Sequence, residues 1–119
     1  MSWSDTAVIE KLGEYLNLAA FRQTLIASNM ANVDTPGYRT RDIDFQGEMS
    51  RAEDELGLEA MQPRVFEVSG LIERPDGNNV SLDRETLLLA RTELQFRLAV
   101  DILRKKFQEI SSAIKEGNS

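Results

Sequence analysis

The chain has neither cysteine nor histidine among its 119 residues. Disulfides, thiolate nucleophiles, zinc centres built on Cys or His, and imidazole acid–base chemistry are therefore excluded. Only carboxylates, Ser, Thr, Tyr and Lys remain for catalysis. The sequence also lacks any apolar run approaching the ~18 residues that a membrane span needs. Its start, MSWSDTAVIEK, has neither the basic region nor the apolar stretch of a cleavable signal peptide. If the protein leaves the cytoplasm, another route is expected to carry it. A basic stripe is missing too. Residues 1–60 hold five basic and eleven acidic side chains and residues 61–119 hold nine of each, so the net charge of −6 resides in the first half. That balance argues against nucleic acid as a partner. A single domain of this length buries only a modest core, so stability is expected to need partners.

What the chain does have is helical periodicity at both ends. From about Ser4 to Val33, apolar residues fall at Ile9, Leu12, Leu16, Ala19, Ile26, Met30 and Val33, interrupted by Gln23. This three-four alternation predicts a long helix with a coiled-coil-like seam. A second helix is expected to start near Ser81 or Asp83, either of which can cap it, and to end at Gly117. Its seam runs through Phe96, Val100, Leu103, Phe107, Ile110 and Ile114, supported by Leu89 and Ala99. Arg104, Lys105, Lys106 and Lys115 lie in its last turns, where cations complement the macrodipole, which is enough to explain the basic cluster. Paired with each other, the two helices would leave Leu18, Phe21, Leu25, Leu87, Leu88 and Leu98 as apolar flanks for neighbouring subunits.

The middle section, 46–80, changes character. It carries an acidic stretch at Glu53-Asp54-Glu55, Pro63, β-prone runs at Val65–Val68 and Leu71–Glu73, and turn signals at Ser69-Gly70 and Pro75–Asn79. A small hairpin or irregular loop is expected there. Asp42, Asp44, Gln46, Gly47 and Glu53 stand at positions 1, 3, 5, 6 and 12 of an EF-hand loop, with Met49 at the eighth. Gln46 is a poor fifth ligand, and Pro36-Gly37 leaves no room for an entering helix, so half-buried packing of Ile43 and Phe45 with solvated carboxylates is preferred. Asn79-Val80-Ser81 fits a glycosylation sequon but reads better as a turn leading into a helix cap. No pattern suggests an enclosed pocket with paired acids, and no catalytic, cofactor or metal residues are assigned.

The stretch ASNMANVDTPGYRTRDIDF, residues 27–45, is the most distinctive. Asn29, Asn32 and Asp34 compete for backbone hydrogen bonds, and Pro36 disfavours helix at Thr35, so the first helix ends here. Thr35-Pro36-Gly37-Tyr38 then suits a type II turn, with Gly37 supplying φ > 0. Asn29 and Asn32 read equally well as a polar pair fixing the register of an interface or as simple helix terminators.

This wording resembles the N-terminal signature of the axial proteins of the bacterial flagellum, the rod, hook and hook-associated subunits. The segment from Arg74 to Gly117, with RPDGNNVSLDRE, LQFRLAVDILRKKF and AIKEG, resembles the C-terminal half of small proximal-rod subunits. The likeness departs at Thr92 and Phe96, where such proteins often carry Asn and Tyr. It implies a structural subunit of the proximal rod, with no enzymatic role, that packs its helices into a tube transmitting torque. It also implies export through the flagellar type III gate to the periplasmic basal body. The partners it implies are further copies, other rod proteins, the adaptor joining rod to MS ring, and the export gate; no small-molecule substrate is implied. The expected fold is mainly α, with segment 1–45 holding the first helix and turn, 46–80 the middle section and 81–119 the second helix. Ile9, Leu12, Leu16, Ile26 and the second seam carry the packing, and Asn29–Tyr38 sets how the chain leaves the first helix. A cytoplasmic coiled-coil adaptor or export chaperone would share the helices but not the DTPGY turn.

Overall fold

A computed structural model describes residues 2–54 and 62–117, apart from the side chains of Glu53 and Asp54. The order of elements is α1 (Trp3–Ala31), β1 (Arg41–Ile43), α2 (Phe45–Asp54), β2 (Val65–Glu67) and α3 (Leu82–Gly117). Two long helices joined by a small strand and loop section make the protein mainly α. The molecule is a rod of 70 × 27 × 18 Å.

Each helix starts where its caps dictate. The Ser2 hydroxyl accepts from the Asp5 amide while the Asp5 carboxylate accepts from the Ser2 amide, a reciprocal capping box that opens α1. Ser81 accepts from the Arg84 amide and opens α3. At the end of α1, the Asn32 side chain folds back to donate to the Ser28 carbonyl at 2.7 Å. Asn32 is thus a helix terminator.

α1 and α3 run antiparallel. Near one end the Lys106 ammonium meets the Asp5 carboxylate at 2.6 Å; toward the other, Arg22 and Arg84 converge on Asp42. Ala19, Ile26, Thr92 and Ala99 are buried between the two helices, while the buried Leu18 shares its face of α1 with Tyr15, Arg22 and Asn29, which meet Phe45, Asp42 and Arg41 of the middle section. Leu18, expected as a flank for a neighbouring subunit, is therefore part of the chain's own core. Phe21 and Leu25 are half-buried.

The middle section is a small strand and loop region, as expected, but its two β-prone runs do not form a hairpin with each other. β2 does not pair with 71–73; it lies antiparallel to β1, with Arg41 opposite Glu67, Asp42 opposite Phe66 and Ile43 opposite Val65. The Val68 amide extends the ladder to the Thr40 carbonyl. Gly70 at φ 82 turns the chain out of the strand, and Ile72 is 92% exposed, so 71–73 has no apolar face to hold it on a sheet. Part of the section is helical as well. Asp44 caps α2 through the Gly47 amide, and the Phe45 ring meets Tyr15 of α1 edge to face at 4.9 Å. Inside α2 the buried Glu48 carboxylate accepts from Arg51 and from the Arg64 amide, fixing the chain on both sides of residues 55–61.

Candidate assembly site

The turn after α1 is held on three sides. Tyr38 donates its amide to the Thr35 carbonyl and Gly37 stands at φ 75, the geometry a type II turn requires. Asn29, buried at 1% exposure, braces it from α1: its side-chain oxygen accepts from the Tyr38 hydroxyl and the Arg41 amide, and its NH2 donates to the Arg41 carbonyl at 2.8 Å. From the far side come residues 74–79. The Asn78 NH2 donates to both the Asn32 and Thr35 carbonyls, Arg74 donates to the Val33 carbonyl, and Arg39 reaches Glu73 and the Gly77 carbonyl. Asn79 completes the frame by accepting from the Thr40 amide at 2.7 Å and taking the Thr40 hydroxyl on its carbonyl. Asp34, Thr35, Pro36 and Gly37 are left exposed at the tip. The result is an outward loop whose Asn32, Val33, Thr35 and Tyr38 carbonyls are all bonded within the chain.

Behind the turn lies a charge cluster that ties three elements together. Asp42 of β1 accepts two bonds from Arg22 of α1, at 2.9 and 3.0 Å, and one from Arg84 of α3 at 2.8 Å. Burial pushes the Asp42 carboxyl up, but the bonds from Arg22, the Ile43 amide and Arg84 outweigh it and hold the group below its ordinary value. Arg84 also donates to the fully buried Glu85 at 2.7 Å, whose other carboxylate oxygen has no partner. Two guanidiniums therefore share two carboxylates, a balanced arrangement in which removing any one member leaves a poorly solvated charge. Asp42 and Asp44 are thus engaged by arginines and by a helix cap, and among the described residues no group of acidic side chains is placed to hold a metal ion. The Glu53 side chain of the EF-hand-like spacing lies outside the described residues, as does Glu55 of the acidic stretch. Asn79 of the sequon is 1% exposed, so an oligosaccharide cannot be attached to it in the folded chain.

The seam residues divide into two groups. Ile26 is buried, while Ile9, Leu12, Leu16, Phe96, Val100, Leu103 and Ile110 are half-buried along the helix pair. Phe107 and Ile114, expected to pack in that pair, are 52% and 57% exposed. Ile114 lies about two turns past the Asp5–Lys106 contact, itself only two residues into α1, where α3 outruns its partner, whereas Phe107 sits about 100° round the helix from Lys106 and faces off the pair. On another side of α3, Leu87, Leu94, Leu98 and Ile102 are each more than half exposed. Their spacing of seven, four and four places them in one ridge, about a third of a helical turn from the buried Glu85, Thr92 and Ala99.

Sequence reasoning missed Asn78, Asn79, Arg22 and Arg84. The asparagines look like ordinary turn residues, and pairing across 20 to 46 residues leaves no local period. Their one signal was position, directly after Asp76-Gly77 and directly before a helix cap.

An elongated antiparallel helix pair with a braced terminal turn, an exposed leucine ridge and no enclosed polar cleft among the described residues defines a structural assembly subunit. The comparisons give that class its family. Residues 16–39, the second half of α1 and the turn, match the flagella basal body rod protein family. Nearly the whole chain is similar to flagellar basal body rod protein FlgB of Escherichia coli (strain K12), at 34% identity over 88% of this chain and 91% of that protein. FlgB of Salmonella typhimurium (strain LT2) is also 34% identical over the same shares, and FlgB of Cereibacter sphaeroides (strain ATCC 17029) is 30% identical over 92% of this chain and 98% of its own length. The chain belongs to the FlgB family of flagellar basal body rod proteins. It is a structural subunit of the rod, in a family that is not one of enzymes, and the adaptor or chaperone reading is not favoured.

Proposed function

We propose that the chain builds the proximal part of the rod by lateral packing of its helix pairs, forming a helical tube that transmits torque. The observation that carries this reading is the ridge of Leu87, Leu94, Leu98 and Ile102, an apolar face on the side of α3 that the chain's own core does not use. A self-complementary patch would close a dimer, whereas a ridge seated on a different surface of the next subunit repeats without closing and gives a helical polymer. The braced turn sets the angle at which the middle section leaves each helix pair. On this reading the chain has no catalytic role, passes unfolded through the type III export gate, and meets other rod proteins and the MS-ring adaptor in the periplasm.

The test is a double substitution, Leu94→Glu with Leu98→Glu. Both positions are exposed, so the variant should stay soluble and helical by circular dichroism while disappearing from purified basal bodies and abolishing swimming. A variant that enters basal bodies at the normal level would remove the ridge from the interface.

A further inference from the structure

The C-terminal half of α3, around its contact with the start of α1, carries a shallow groove of about 390 Å³ lined by Val100, Leu103, Arg104, Phe107, Gln108 and Ser111. Its walls are apolar, with the exposed Phe107 ring on one side and the Arg104 guanidinium on the rim, 68% exposed. The only tryptophan in the chain stands at the same end of the molecule. Trp3, in the first turn of α1, is 86% exposed although the capping box and the Asp5–Lys106 pair fix the backbone that carries it.

We propose that this groove receives Trp3 of a second copy of the chain. The inference deepens the rod-subunit reading, on which it rests for the presence of a neighbouring copy, by naming one contact between copies. Geometry excludes self-filling in the structure: Trp3 shares its α1 face with Glu10 and Asn17, both exposed at seven-residue steps, and that face points away from α3. Knob and groove therefore sit at one end of the rod but on different flanks. Two copies side by side can join the knob of one to the groove of the next, which leaves the groove of the first and the knob of the second free, so the contact can repeat along a polymer.

The chemistry of the two surfaces agrees. An indole is the side chain that gains most from a shallow apolar groove with a cation at its rim, since its ring face attracts a guanidinium and its body buries ~150–250 Å². Arg104 is only loosely engaged by Asp101, at 3.8 Å, and is able to turn over such a ring. Glu10, two turns along the Trp3 face, brings a carboxylate toward the basic end of α3, where Arg104 and Lys105 are exposed. The acidic first half of the chain and the cationic end of α3 thus meet with opposite charge. One aromatic knob covers far less than the ~1,000 Å² of a stable independent interface, so the contact operates inside the polymer and leaves the isolated chain monomeric.

The experiment places a benzophenone photoprobe at Gln108, an exposed groove residue, in full-length chain expressed in motile cells. Basal bodies are then purified, irradiated and analysed by mass spectrometry. The expected product joins position 108 to a peptide containing Trp3 of a second copy, and Trp3→Ser should reduce its yield at least tenfold while the photoprobe chain is still incorporated. A product with another protein, or with a different segment of this chain, overturns the proposal. So does the absence of product from basal bodies that contain the chain, an outcome that leaves the rod-subunit reading standing. Absence of the chain from basal bodies defeats that reading, and this contact with it.

Discussion

A Cβ built on Gly77 would stand 3.4 Å from the Cα of Gly37, so the two turns framing the start of the middle section meet glycine to glycine. Both residues have positive φ, 75 and 88. Gly37→Val is expected to cost about 1–2 kcal/mol from backbone strain alone. At Gly77 a Cβ already touches the facing turn, so the valine methyls beyond it have to displace that turn and Gly77→Val should cost more. Urea denaturation of the purified variants measures both, and motility reports whether the turn matters to assembly. Equal, negligible losses at the two sites would show that the turns do not depend on each other.

Acid should loosen the Asp42 cluster. The folded-state pKa of Asp42 lies below the unfolded value, so its contribution is complete above the ordinary carboxylate range and is lost as pH falls through the folded pKa. Asp5 behaves alike, with its pKa held at about 2 by Lys106 and by the Ser2 amide and hydroxyl. The pKa of Lys106 is raised, so its share of that contact persists below the ordinary lysine pKa and is lost only as pH climbs past it. Stability is therefore expected to fall between about pH 4 and pH 2. Asp42→Asn should flatten that slope at the cost of lower stability at neutral pH. Because Arg22 and Arg84 keep some solvent access, at 18% and 27% exposure, the loss should lie at or below the lower end of the ~3–5 kcal/mol seen for broken buried pairs. Denaturant melts of wild type and variant at pH 7 and pH 3 decide it.

The adjacent asparagines make a sharper test. The Asn78 NH2 donates to two carbonyls, so Asn78→Asp would point a carboxylate oxygen at both of them inside the protein. That change should destabilise the turn more than Asn78→Ala, which merely leaves the carbonyls unpaired, at a cost of roughly 1–3 kcal/mol. Hydrogen exchange at the Tyr38 and Thr40 amides would show the turn opening locally. If Asn78→Asp proves milder than Asn78→Ala, the assigned orientation of the Asn78 amide is wrong.

The long helices were legible because each writes its seam and its start locally, as Ser81 shows for α3. The turn was legible because Pro36 and Gly37 restrict the backbone directly. The strand pairing was not, since β1 is held through Asp42 by arginines 20 and 42 residues away and β2 is anchored by the Arg64 amide on Glu48, and neither leaves a local pattern. The division of the α3 seam between core and overhang was equally hidden. A repeating pattern says which face of a helix is apolar, and only the length of the partner helix says how far along that face is covered. Leu18 was misread for a related reason: the seam pattern shows the face turned to the partner helix, while the face of α1 shared by Tyr15, Leu18, Arg22 and Asn29 is covered by the middle section.

Neighbouring residues on α3 should separate folding from assembly. Ala99 is 3% exposed, at the close approach of the two helices, whereas Leu98, next in the chain, is 53% exposed in the ridge. Ala99→Leu forces three extra carbons between packed helices and is expected to destabilise the isolated chain by about 1–3 kcal/mol. Leu98→Glu alters a residue that the core does not use and should change that stability by no more than about 0.5 kcal/mol. In motile cells the order should reverse at the level of the polymer. Leu98→Glu would place a charge in the contact between subunits and exclude the chain from basal bodies, while any Ala99→Leu chain that folds should still be incorporated. Thermal melts of the two purified variants, set beside immunoblots of basal bodies from the same strains, give the comparison. A Leu98→Glu chain found in basal bodies at wild-type level would show that the outer face of α3 meets solvent in the rod.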